Sequence, residues 1–177
     1  MRIDGRVAEE EGALEVARRI CIAARTAPKG RGVDNLRTVV LTGKEKEELA
    51  QEMQRIGEQS GSSIFTRDAN CLRSAQALVL LGTRIKPLEV PNCGYCGFKD
   101  CEDNRQHNGI CAFNTGDLGI AIGSAVSVAA DQRVDTRVFF TAGRAALNLK
   151  LLGEEVRIAY GIPISVSGKS PFFDRKS

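Results

Sequence analysis

Four of the six cysteines in this 177-residue chain fall between positions 93 and 111, spaced Cys93-x2-Cys96-x4-Cys101-x9-Cys111. So many thiols in one short run leave three physical outcomes: metal ligation, disulfides, or redox chemistry of the thiols themselves. Disulfide frameworks suit small secreted scaffolds, and a chain of this length can bury a core without staples. The start, MRIDGRVAEEEGALE, lacks the apolar stretch of a secretory signal. The expected location is therefore the cytoplasm, where thiols stay reduced and clustered cysteines serve metal or catalysis.

Thiolate is a soft ligand suited to iron–sulfur clusters and to zinc. Within CGYCGFKDC, Gly94 and Gly97 directly follow Cys93 and Cys96. Glycine there lets the backbone turn sharply and bring N–H groups close to inorganic sulfide, an interaction that tunes a cluster's potential. A zinc ribbon would show two separated C-x2-C knuckles, and a thioredoxin-type pair should open a helix after a strand. The expected centre is an iron–sulfur cluster on Cys93, Cys96, Cys101 and Cys111, and the clustered loop favours [4Fe–4S] over [2Fe–2S]. A zinc-stabilised binding module and a redox thiol pair remain as alternatives. His107, the one histidine, lies inside the run and reads as a solvated loop residue, with replacement of a thiolate as the other option. Cys21 and Cys71 sit on apolar helical patterns and read as core.

Around this run the chain reads as alternating helices and strands, and so as an α/β or α+β sheet with helices packed on it. Residues 7–27 carry Leu14, Ala17, Cys21 and Ala24 at helical spacing, ended by Pro28. RTVVLTG (37–43) reads as a strand, and KEKEELAQEMQRIGEQSG as a helix with Leu49, Met53 and Ile56 on its apolar stripe. SIFT (63–66) reads as a short strand, and ALVLLGT (77–83) as a strand buried on both faces. GDLGIAIGSAVSVAADQ reads as a helix capped by Asp117, rich in small residues on one side. A helical RAALNLKLLG and a strand over EEVRIAYGIPISV follow, then a polar, basic tail that is either loose or folded over a partner. No internal repeat is present. One domain over 1–177 is expected, with 86–116 as an inserted cysteine-rich segment.

A formal charge of +3 is too small to argue for nucleic acid. No stretch approaches the roughly 18 apolar residues needed to span a bilayer. The loop APKGRGVDN offers cations and glycines suited to an anion, although it follows a helix C-terminus, where the dipole is unfavourable for phosphate. As a bare motif it reads as a solvated basic loop.

The run CGYCGFKDC resembles the C-G-x-C-G-x3-C opening of a [4Fe–4S] module in electron-transfer subunits, although there the fourth cysteine usually lies farther away. The whole chain resembles a family of bacterial and archaeal ferredoxin-domain proteins. A second resemblance concerns architecture. AARTAPKGRGVDNLRTVVLTG is similar to a loop-and-strand segment of flavin-dependent nitroreductases, and EVRIAYGIPISVSGKSPFFDRK to their closing strand, G-x-P turn and basic tail. The serine of the loop is replaced by Lys29, and the Q-P-W and opening Arg-Arg-Ser signatures are missing. This resemblance implies an α+β, nitroreductase-like mixed sheet flanked by helices, a homodimer, and FMN at the dimer interface. By position, Arg25, Lys29, Arg31 and Asn35 would lie near the flavin, and Lys169 and Arg175 near its phosphate. The function implied is electron transfer to or from a redox partner protein or a small-molecule donor or acceptor. A non-enzymatic ferredoxin-like carrier is the alternative. No general acid or base stands out.

Overall fold

The computed structural model describes residues 1–173. It contains six α-helices, one short 3-10 turn (Gly30–Gly32) and four strands among those residues: α1 (Gly5–Thr26), β1 (Leu36–Leu41), α2 (Gly43–Ser60), α3 (Ser63–Arg73), β2 (Ala77–Arg84), α4 (Cys101–Gln106), α5 (Ala112–Asp131), β3 (Asp135–Thr136), α6 (Phe140–Asn148) and β4 (Val156–Ser165). The strands form one sheet in the order β1-β2-β4-β3. All three pairings are antiparallel, so the α+β class holds with an antiparallel sheet where a mixed one was expected.

Helices cover both faces of this sheet. On one side α1 and α5 bury Ala13, Ala17, Ile20, Leu118, Ala121 and Ala125 against Val79, Leu81, Ile162 and Ile164. On the other, α2, α3 and α6 bury Leu49, Met53, Phe65, Leu72 and Ala142 against Leu78 and Leu80. The period-2 alternation of β2 thus sends consecutive apolar residues into two cores, which is why ALVLLGT carries no polar face. α6 lies directly on β4: a Cβ at Gly143 would sit 1.8 Å from the Ala159 carbonyl oxygen.

Local chemistry accounts for several boundaries. Asp4 caps α1 by accepting the Arg6 N–H at 2.9 Å. Ala27, preceding Pro28, is extended at ψ 144, which stops the helix there. Gly61 ends α2 in the left-handed conformation, φ 68.

Three expectations are corrected. SIFT opens α3, because Phe65, Ala69 and Leu72 form an i, i+4, i+7 stripe buried against α2 and α6, and that packing overrides strand propensity. The helix expected from Gly116 begins four residues earlier, with Cys111 at its N-cap. Asp117 is therefore no cap: it sits within α5, buried, and accepts the Gly30 N–H at 2.9 Å. The segment read as a G-x-P turn lies inside β4, where Gly161 exchanges backbone hydrogen bonds with Phe139 and Pro163 faces Leu78. Cys21 and Cys71 are half-buried on the edges of the two cores, and burial pushes both thiols above their ordinary pKa.

Candidate metal centre and adjoining pocket

The four clustered cysteines reach one cavity from different backbone elements. Cys93 and Cys96 come from the loop after β2, Cys101 is the first residue of α4, and Cys111 caps α5. All four line a cavity of about 190 Å³, together with Leu88, Pro91, Phe98, Asn104 and Phe113. All are free thiols; Cys111 is buried and the other three are half-buried.

The loop that carries Cys93 and Cys96 is built from left-handed residues. Glu89, Asn92, Gly94 and Gly97 have φ of 54°, 56°, 59° and 82°. The Gly97 N–H donates to the Gly94 carbonyl at 2.9 Å, closing the turn that separates the two thiols. Nothing crowds a Cβ at Gly97, so glycine serves there for its backbone angle and not for space. Cys111 stands at the positive end of a 20-residue helix. Ala112 and Phe113 of the same first turn also line the cavity.

Among the described residues, no three His, Cys, Asp or Glu side chains stand close enough to hold a single metal ion. Four thiolates bound at ~2.3 Å to one tetrahedral zinc would lie about 4 Å from one another. A polynuclear cluster carries its thiolates on separate irons, farther apart. The donor set, soft and all sulfur, with a largely apolar wall of Pro87, Leu88, Val90, Phe98 and Phe113, suits such a cluster. His107 is outside the cavity lining. It stacks on Phe98 with ring centroids 5.6 Å apart and sits 3.1 Å from the Asp103 carboxylate.

A second pocket, about 410 Å³, adjoins the first. Ala112 and Phe113 line both, and Pro28, Lys29, Gly30, Tyr95, Gly116, Asp117 and Ile120 complete it. Tyr95, between Gly94 and Cys96, stacks on Phe113 with centroids 6.0 Å apart and planes 13° from parallel. The pair makes an aromatic wall between the thiols and the pocket. Gly30 is held here by close packing, since a Cβ would approach Leu88 to 2.6 Å and Phe113 to 3.1 Å.

The residues expected near a flavin are mostly committed to the protein's own structure. Arg25 pairs with Asp34 at 2.5 Å and donates to the Leu36 carbonyl. Lys29 donates to the Ala24, Arg25 and Ala27 carbonyls, completing the C-terminus of α1. Arg31 donates to the Leu88 and Glu89 carbonyls at 2.8 and 2.9 Å and so braces the cysteine-bearing loop. Asn35 is buried, its Nδ2 without a partner and its Oδ1 only 3.5 Å from Arg84. Lys169 is exposed, and its carbonyl accepts the Ser167 hydroxyl. Arg175 lies outside the described residues. The tail up to Phe173 is anchored: Phe172 is buried against Phe139, and its carbonyl accepts from Arg137.

Sequence reasoning missed Asn104, Asn114 and the aromatic pair. A signal for the asparagines was present. Cys101 and Cys111 are each followed three residues later by asparagine, a spacing that puts both on one helical face. Asn114 is fully buried, and its Oδ1 accepts the Lys86 N–H at 2.7 Å, fixing the start of the loop.

The fold is that of the nitroreductases. The structure superposes with a TM-score of 0.59 on an FMN-bound nitroreductase from Desulfitobacterium hafniense, at 15% identity over 88% of this chain and 78% of that one. It gives 0.59 with an iodotyrosine deiodinase bound to FMN and 3-iodo-L-tyrosine, at 14% identity over 93% and 84% of the two chains. A BluB-like flavoprotein from Clostridium difficile gives 0.53 at 18% identity over 100% and 85%. Within that fold the chain belongs to a family described as uncharacterized proteins containing a ferredoxin domain (DUF2148), whose profile matches residues 107–175 and so includes only Cys111 of the four cysteines. An uncharacterized protein of Archaeoglobus fulgidus is 39% identical over 175 residues, covering 94% of each chain. No helix among the described residues is long and apolar enough to cross a membrane.

Proposed function

We propose that this protein transfers electrons through an iron–sulfur cluster, [4Fe–4S], held by Cys93, Cys96, Cys101 and Cys111. The observation that carries the reading is that these four thiols, drawn from a glycine-turned loop and two helix starts, line one cavity. Membership of a ferredoxin-domain family supports it. When bound, such a cluster passes single electrons, with a potential set by hydrogen bonds to its sulfurs and by the apolar wall. The chain's own contribution is to hold four thiolates, to shield them with Phe98 and Phe113, and to present Tyr95 outward. The reading places the chain in a reducing compartment, the cytoplasm, with a redox protein or small molecule as partner.

A second reading adds FMN. The pocket behind the Tyr95–Phe113 wall supports it, because a flat ring there would lie next to the thiol cavity. Flavin exchanges hydrides and single electrons, so the two groups together would join both kinds of transfer. The expected phosphate grip fits less well: Arg25, Lys29 and Arg31 already serve Asp34 and backbone carbonyls. A homodimer belongs to this reading as well.

Anaerobic purification, with absorption spectra before and after dithionite and with iron, sulfide, zinc and flavin assays, tests both. The expected result is a broad brown absorbance that bleaches on reduction, with four iron and four sulfide per chain. Cys96→Ser should lose that colour. Zinc without sulfide in the wild type, or full iron in Cys96→Ser, overturns the cluster assignment. Failure to take up FMN, or a monomer by size measurement, removes the flavin reading alone.

A further inference from the structure

We infer that Asn104 belongs to the metal centre as a hydrogen-bond donor to a cluster sulfur, and that it raises the centre's reduction potential. This inference rests on the cluster reading above.

Asn104 is 1% exposed and lines the cavity of the four cysteines. It stands three residues after Cys101, on the same face of α4. Its backbone is fixed, since its N–H donates to the Asp100 carbonyl and its carbonyl accepts the Gly109 N–H at 2.8 Å. Its side chain is poorly satisfied. Nδ2 makes one long contact, 3.4 Å to the Ile110 carbonyl, and Oδ1 is buried with no partner at all. A buried amide oxygen without a donor costs ~1–3 kcal/mol, so such a group in a cavity wall points to a ligand.

The cavity's chemistry says which end of the amide serves that ligand. Thiolates and inorganic sulfides accept hydrogen bonds and do not donate them. Nδ2 lies on the Gly109–Ile110 side, where a Cβ on Gly109 would meet it at 2.6 Å, so Oδ1 is the end left for the cavity. Oxygen facing sulfur would be acceptor against acceptor. A half-turn of the terminal torsion exchanges the two ends, a difference in assignment that the hydrogen-bond network decides. The exchange gives up the 3.4 Å bond and turns Oδ1 toward the Ile110 carbonyl, a cost lessened because Ile110 is an exposed residue. In return it forms an N–H···S bond to an anionic acceptor in an apolar surround, where charge-assisted bonds are strong. Reduction adds an electron to the cluster and strengthens that bond, which favours the reduced form.

Asn104→Asp keeps the size of the side chain and removes the donor; Asn104→Leu removes all polarity. In reconstituted, brown protein each should lower the midpoint potential, with Asp the larger effect because it adds repulsion. The expected change is about tenfold in the ratio of reduced to oxidised cluster at a fixed applied potential, or about 59 mV for one electron. Unchanged potentials in both loaded variants overturn the inference. A second readout does not require the variants to load. Wild-type protein carrying ¹⁵N only in its asparagine side chains should show a ¹⁵N coupling in pulsed electron paramagnetic resonance of the reduced cluster. No coupling in the wild type, or a coupling that persists in loaded Asn104→Asp, overturns it too. If the wild type takes up zinc and neither iron nor sulfide, the cluster reading itself has failed, before any variant is measured, and the inference falls with it.

Discussion

The sheet with its two helical layers and the segment from residue 85 to 111 are held together by different means. In the layered body, β2 places Leu78 and Leu80 in one core and Val79 and Leu81 in the other, all four at 0% exposure. In the segment only Leu88, Asn104 and Cys111 are buried, and five residues, Glu89, Asn92, Gly94, Gly97 and Asn108, have left-handed backbone. Its ties to the body are few: Leu88 packs beside Gly30, Tyr95 stacks on Phe113, Arg31 donates to two carbonyls, Arg157 reaches the Asn108 carbonyl at 3.5 Å, and Asn114 accepts the Lys86 N–H. Apolar burial is proportional to the area removed from water, so the body can fold on its own account. The segment buries far less, and on the proposed reading a cluster held by its thiols would supply the missing stability.

The largest effects should come from the body. Leu80→Ala deletes a fully buried side chain between β2 and the α2–α3–α6 layer, and should cost ~2–5 kcal/mol by urea denaturation. Iron and sulfide per folded chain should stay at the wild-type level. Loss of iron under conditions where the variant is still folded would show that the two regions are not separable.

Next in size is the effect of the metal on the segment. Lys99 and Arg105 are exposed and flank Cys101, so both offer tryptic sites where few apolar contacts oppose opening. With ligand at about 100 times its dissociation constant, opening that releases it is opposed by ~2.7 kcal/mol, which is about a hundredfold in cleavage rate. Loaded protein should therefore resist trypsin at these two sites, while metal-free protein is cut there and keeps its far-ultraviolet spectrum. Equal cleavage with and without metal would mean that the segment is as self-sufficient as the body.

A third expectation concerns the brace between the regions. Arg31→Ala removes the donors to the Leu88 and Glu89 carbonyls and should cost ~1 kcal/mol, since the guanidinium is largely solvated. The loss should register as faster amide exchange at residues 86–92, with the sheet unaffected. If Arg31 instead grips a phosphate in solution, added FMN should bind tightly to the wild type and weakly to this variant, and exchange in the loop should not change.

How far each region was legible follows from the same contrast. The body's elements announce themselves through periodicity, because apolar burial writes a period of 3.6 or 2 into the chain. The miss at Ile64 and Phe65 came where strand propensity and helical spacing disagree over four residues, and the spacing over a longer window wins. The cysteine spacing marked out thiols that line one cavity. It could not show that Cys111 caps α5, because neither cysteine nor Gly109 is a usual helix-start signal and Asp117 is a misleading one. Least legible were the cations. Arg25, Lys29 and Arg31 look like an anion grip in sequence, yet each has an internal acceptor supplied by chain that is close in space: Asp34, the end of α1, and the loop at Leu88.

The smallest expected effect tests one of those internal pairs. Burial pushes the Asp34 carboxyl up, but the Arg25 guanidinium and the Leu36 N–H outweigh it and hold its pKa below the ordinary carboxylate range. A carboxyl with a depressed folded-state pKa contributes stability that is present above its unfolded value, ~3.9, and is lost as pH falls through the folded value. Both partners are more than a third exposed, so the contribution should be ~0.5 kcal/mol. Asp34→Asn should thus be slightly less stable than wild type at pH 7 and equal to it near pH 2, measured by urea midpoints on metal-free protein. Salt should narrow the gap at pH 7. A gap that persists unchanged at low pH would mean that the asparagine disturbs the turn and not the charge pair. No gap at either pH would mean that Arg25 is not held by Asp34 in solution, and would return it to the group of cations free to meet an anion.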